Sequence, residues 1–258
     1  MSFPCPNQYD HRPWPVPDSP WIMAQSWHDL LFAHWPVDIG LMRQLVPEPL
    51  ELDTFDGKAW VGVVPFRMSG IRPRFCPAVP WLSAFPEFNI RTYVKARDPE
   101  NPKPGVYFFS LDAANPIAVN VARATYKLPY FHADMAIAEE NEIFTYQTTR
   151  THRGAAPAEF KGCYGPTGPV VAAEPGTIDH WFTERYSLYT VSKGKTFRGE
   201  IHHNPWPLQP AFLDTECNTM AEASGIKLPD CDPILHFSRR IDVVLWPIKK
   251  CDTDHLAR

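Results

Sequence analysis

Prolines interrupt this chain too often for long helices to run through it. They make up 29 of its 258 residues, more than twice the usual frequency of about 5%. Each one removes a backbone donor and clashes with the preceding helical turn, so short elements joined by fixed turns are expected. Under that constraint the stretch from Phe85 to Phe131 carries the most information. In FPEFNIRTYV the side chains alternate: Phe88, Ile90, Thr92 and Val94 point one way, and Glu87, Asn89, Arg91 and Tyr93 the other. A carboxylate, an amide and a guanidinium in one row form either a wetted outer face or the floor of a polar pocket.

The rest of the chain reads as short strands with a few helices. PVDIGLMRQLV (36–46) suits a helix with Asp38 at its start and Pro47 to stop it. LELDTFDGKAWVGVVPFRM (50–68) reads as two strands joined by an Asp56-Gly57 turn. Asn115-Pro116 opens a second helix, with Asn as cap and Pro at the first helical position, and it ends before Pro129. Strands follow near 130–138, 142–152 and 158–164, then a short helix at 177–185. A hairpin turning at Lys193-Gly194-Lys195 and a closing strand in ILHFSRRIDVVLWPI complete the pattern. Residues 1–20 read as an extended proline-rich arm and residues 21–258 as one α+β domain, mostly antiparallel.

Composition excludes several function classes. The chain is 44% hydrophobic and 21% charged, with a formal net charge of -4, and no basic stripe with interleaved aromatics marks a nucleic-acid partner. No apolar run approaches the roughly 20 residues that span a bilayer, so no membrane partner is expected. The first residues lack a basic start with an apolar core, and the cytoplasm is the expected compartment. Six cysteines (Cys5, Cys76, Cys163, Cys217, Cys231, Cys251) lie far apart without a CxxC pair and read as reduced thiols.

Familiar catalytic signatures are absent: no GxGxxG after a strand, no GxSxG, no HExxH. Gly194-Lys195-Thr196 lacks the leading glycine of a phosphate loop, since Tyr189 stands there. His202 and His203 are adjacent, and on a strand their rings face opposite sides, so neither a metal nor any other cofactor is expected. His203 reads as a buried neutral ring satisfied by a backbone carbonyl.

Seven segments together resemble the YqjF-like family of uncharacterised proteins, relatives of acetoacetate decarboxylase: LLFAHWPVD (30–38), LVPEPLELDTFDGKAWVGVVPFRM (45–68), SAFPEFNIRTYV (83–94), FFSLDAANPIAV (108–119), LPYF (128–131), GEIHHNPWPLQPA (199–211) and LHFSRRIDVVLWP (235–247). The resemblance implies an acetoacetate decarboxylase-like fold, a cone or barrel of mostly antiparallel strands with a few short helices around a central pocket. It would put the Glu87 row on the inner wall. The decarboxylase works through a lysine that forms a Schiff base, kept neutral by a neighbouring cation and an apolar setting; the enzyme is itself the standard example of that device. Here the residues after the proline turn are Tyr130 and Phe131, and both lysines of that pattern are missing. Lys127, three residues before Tyr130, either swings into the pocket or bonds the helix-terminal carbonyls.

Three readings of function follow. In the first, the protein binds a small molecule, a carboxylate or oxo acid. Glu87, Tyr130 and Lys127 are then the candidate catalytic groups, and Arg91, Asn89, His34 and His202 the candidate ligand-binding groups. A desolvated Glu87 has its pKa raised and suits acid/base work, and a cavity of about 300 Å³ or more would favour this reading. In the second, Lys127 or another lysine runs Schiff-base chemistry. In the third, the chain senses a ligand without catalysis. The sequence leaves the ligand and the oligomeric state open.

Overall fold

Helices form only where a cap and a stop bracket them. The computed structural model describes residues 6–97 and 102–251, so Cys5 and part of the expected 99–105 loop lie outside the described residues. Helix α1 (Ile39–Leu45) begins at Asp38, whose carboxylate accepts from the Leu41 N–H at 2.8 Å. Helix α2 (Pro116–Thr125) begins at Asn115, whose side-chain oxygen accepts from the N–H groups of Ile117 and Ala118. Helix α3 (Ile178–Thr183) is capped by Thr177. None of the described helices is long and apolar enough to cross a membrane.

Apart from one 3-10 turn (Glu222–Ser224), the remaining regular structure is strand: β1 (Met23–Val37), β2 (Leu50–Leu52), β3 (Ala59–Pro73), β4 (Phe85–Ala96), β5 (Gly105–Ala113), β6 (Tyr130–Glu140), β7 (Ile143–Arg150), β8 (Glu159–Pro166), β9 (Ser187–Ser192), β10 (Lys195–His203), β11 (Gln209–Asn218), β12 (Ile234–Leu245) and β13 (Lys249–Lys250). Pairing runs β1–β3–β4–β5–β6–β7–β8–β11–β12 and back to β1, a closed barrel of nine strands. Only its β5–β6 ladder is parallel. A second circuit leaves β5 through β9 in parallel, passes to β10, and rejoins β12. The strands β12, β1, β3, β4 and β5 therefore form a wall common to a nine-strand and a seven-strand ring. The fold is the α+β, mostly antiparallel barrel expected above.

A common wall needs apolar side chains on both faces, and β4 supplies them by simple alternation. Phe88 and Ile90 pack with Tyr146, Phe160, Tyr164 and Phe237 on one side. Phe85 and Tyr93 pack with Phe66, Leu188, Ile241 and Phe182 on the other. Strand β1 is buried from Asp29 to Trp35 without a break, and its register slips between His28 and Ala33, with Asp29 at φ 52°. Two sequence expectations need correction here. The Asp56-Gly57 turn exists as a Phe55–Lys58 bridge, but β2 pairs with β4 and not with β3. Strands β1 and β11 were also not expected.

Residues 7–14 lie across β10 and the Asn204 that follows it. The Arg12 guanidinium donates to the Ile201 carbonyl at 2.6 Å and to Glu200 at 3.0 Å, and the Tyr9 ring stacks on His202 at 4.6 Å.

Candidate functional site

Strand β4 turns Glu87, Asn89 and Arg91 toward a cavity on the seven-strand side of the common wall. Helix α2 borders it through Ala118, Val121 and Ala122, and the end of α3 borders it through Phe182, Thr183 and Arg185. The cavity holds about 180 Å³. That falls below the roughly 300 Å³ of drug-sized sites, so an occupant has to be small or slender. Its lining is mostly apolar, with few polar groups set into it.

Glu87 is only 3% exposed. The Tyr130 hydroxyl donates to its Oε2 at 2.8 Å. Burial pushes the Glu87 carboxyl up to about 8; the Tyr130 bond opposes that shift and the nearby Asp112 adds to it. At pH 7 the group is thus mainly a neutral acid with a proton to donate. Asp112 is itself fully buried and gripped by Arg150 through two bonds of 2.7 Å. From behind the wall, the Tyr146 hydroxyl donates to the Glu87 backbone carbonyl at 2.8 Å.

The other end of the row is cationic. Arg91 has its Nε buried without a hydrogen-bond partner, and its Nη2 lies 3.5 Å from the Tyr93 hydroxyl. Its guanidinium sits 5.2 Å from the Phe32 ring centre, and no carboxylate among the described residues forms an ion pair with it. The Oδ1 of Asn89 is likewise buried and unpartnered. Arg185, which the sequence reading did not single out, joins them. Its Nη1 pairs with Asp53 at 2.5 Å and its Nε donates to the Trp181 carbonyl at 2.6 Å, while its Nη2 is buried with no partner. Nothing local in TERYS marks Arg185, because α3 and β9 bring it to β4 only through the fold.

Of the expected residues, Glu87, Asn89, Arg91 and Tyr130 line one cavity. Lys127, His34 and His202 do not, and each has a physical reason. Lys127 adopts φ 55° just past α2, and its ammonium lies 5.3 Å from the Phe197 ring centre. No lysine among the described residues lines the cavity. His34 sits one layer behind: its Nε2 meets the Tyr93 hydroxyl at 2.6 Å and its ring stacks on Phe182 at 3.7 Å. Burial, with Arg91 adding to it, drives its pKa well below the usual histidine value. His202 faces the N-terminal arm. Its neighbour His203, on the opposite face of β10, lines the cavity and places its Nδ1 2.7 Å from the Asn204 carbonyl. Burial lowers its pKa to about 3, so it stays neutral. Among the described residues no cluster of His, Cys, Asp or Glu could hold a metal.

The chain is similar to known proteins in sequence and in fold. The chain is 46% identical over 235 residues to the uncharacterized protein YqjF of Bacillus subtilis (strain 168), covering 91% of this chain and 95% of that one. It is similar in fold to acetoacetate decarboxylase from Legionella pneumophila, with TM-score 0.60 and 13% identity over 97% of this chain and 93% of that one. It is also similar to the enduracididine biosynthesis enzyme MppR complexed with pyruvate, with TM-score 0.60 and 10% identity over 90% and 91% of the two chains. At such identities these likenesses speak to the fold alone. A family model for uncharacterized conserved proteins, DUF2071, matches residues 24–242, and the chain belongs to that family.

Proposed function

We propose that the protein binds a small carboxylate of the oxo-acid type in this cavity, with Arg91 on the carboxylate and Glu87 beside the carbonyl. One observation carries the reading: a buried guanidinium nitrogen without a partner shares a strand face with a carboxyl group held protonated at neutral pH. A buried guanidinium nitrogen with no partner is costly unless an acceptor arrives, and a guanidinium matches a carboxylate through paired bonds. Glu87 then donates to the carbonyl oxygen and, as its conjugate base, accepts a proton from the adjacent carbon. Tyr130 fixes the carboxyl in place. The two structural neighbours named above, one holding pyruvate and one named for acetoacetate, are consistent with this class of ligand. Because no lysine among the described residues lines the cavity, the chemistry favoured is acid/base work without a covalent amine.

Calorimetry with pyruvate, acetoacetate and their amides tests the binding step. The carboxylates should bind, the amides should not, and Arg91→Ala should weaken binding by about 1.5–3 kcal/mol, the worth of a charged hydrogen bond. Equal binding by wild type and variant would sink the assignment. For the proton step, wild-type protein in heavy water should exchange the hydrogens next to the carbonyl of an oxo acid long enough to reach from Arg91 to Glu87. Glu87→Gln, which keeps a donor but no base, should bind and not exchange.

A further inference from the structure

Building on the carboxylate reading above, we infer that the natural ligand is an elongated carboxylate and not a three- or four-carbon acid. Arg91 and Arg185 together hold its carboxylate, and Glu87 with Tyr130 holds a second polar group about six bonds away.

Both guanidinium groups line the cavity and lie near the Tyr93 ring, Arg91 at 5.8 Å and Arg185 at 4.9 Å from its centre. Each keeps one buried nitrogen without a partner, Nε in Arg91 and Nη2 in Arg185. Asp53 neutralises one of the two charges. The pair therefore retains one positive charge, the complement of a single carboxylate, and offers it donors from two side chains.

Glu87 lies well away from this clamp. It and Arg91 stand four residues apart on one strand face, about 13 Å between Cα atoms. Arg91 leans further off, its Nη2 within 3.5 Å of the Tyr93 hydroxyl. The charges that act on each end agree: Glu87 feels Tyr130 and Asp112, whereas Arg91 acts on His34, Tyr93 and Arg185. Subtracting a hydrogen bond of about 2.9 Å at each end leaves roughly 7 Å for the ligand. An extended chain advances about 1.2 Å per bond, so the two polar groups are separated by about six bonds. Between the ends the lining is apolar, with Leu30, Val64 and Leu111 against the path and Asn89 the one polar side chain of β4 midway. Pyruvate can satisfy one end of this cavity and leaves the other empty.

Calorimetry on the full chain near neutral pH, with methyl-ketone carboxylates from pyruvate to the eight-carbon member, tests the inference. Each added methylene that enters the lining should tighten binding by up to about fourfold, and the optimum should fall at about six carbons. Arg185→Lys, which keeps the charge and loses the fork, should weaken every member about tenfold and leave the optimum where it was. A flat series, or one that peaks at pyruvate or acetoacetate, overturns the elongated ligand and leaves the carboxylate site standing. Unchanged affinities in Arg185→Lys remove that residue from the clamp. Binding of no member at all overturns both readings.

Discussion

A carboxyl group that keeps its proton at neutral pH ties the site to the stability of the whole chain. Glu87 is raised from 4.5 to about 8, chiefly by burial. Between those two values the folded protein holds a proton that the unfolded chain releases, so stability falls as pH rises through this window. The loss by pH 7 is on the order of 3 kcal/mol at about 1.4 kcal/mol per unit. Glu87→Gln removes the titrating group and keeps its shape. Melting temperatures from about pH 5 to 8 should decline in wild type relative to the variant, and parallel curves would show that Glu87 ionises freely. His203 works in the opposite direction. It is held neutral down to about 3, so its contribution is lost as the medium becomes more acid than 6.5.

Among the elements, the junction of β5 with β9 decides whether the seven-strand ring closes. The strands pair there through Val106 with Leu188 and Tyr107 with Tyr189, and Gly105 sits at the closest approach. A Cβ added at Gly105 would lie 2.4 Å from the Ser187 carbonyl oxygen, which is backbone and cannot swing aside. Gly105→Ala should therefore cost about 2–3 kcal/mol, read from the urea midpoint. An unchanged midpoint would show that the two strands are free to part. The same scale explains what the sequence disclosed. Strand β4 was legible because its alternation survives intact, and α1 and α2 because Asp38 and Asn115 announce their starts. Strand β1 was not, because burial on both faces and a slipped register at Asp29 erase the period-two signal. His202, named as a ligand-binding candidate, faces the arm, while His203 on the other face of β10 lines the cavity. Alternation separates two faces without saying which one meets the cavity and which the arm.

For the molecule as a whole, a fold similar to that of acetoacetate decarboxylase surrounds a cavity that no lysine among the described residues lines. Borohydride treatment in the presence of pyruvate or acetoacetate should leave every lysine unmodified by mass spectrometry; an adduct on Lys127 would show that its side chain leaves Phe197 and enters. The fold itself was readable from segments spread along nearly the full chain. The cationic end was only half readable, since Arg185 meets Arg91 through the topology and not through any spacing. The dividing wall has one last implication. Tyr146 stands in the core of the nine-strand ring, outside the cavity lining, yet its hydroxyl donates to the Glu87 backbone carbonyl. Trimming the rings packed around it would let that strand settle backwards, moving Glu87 within the cavity without altering one residue that lines it.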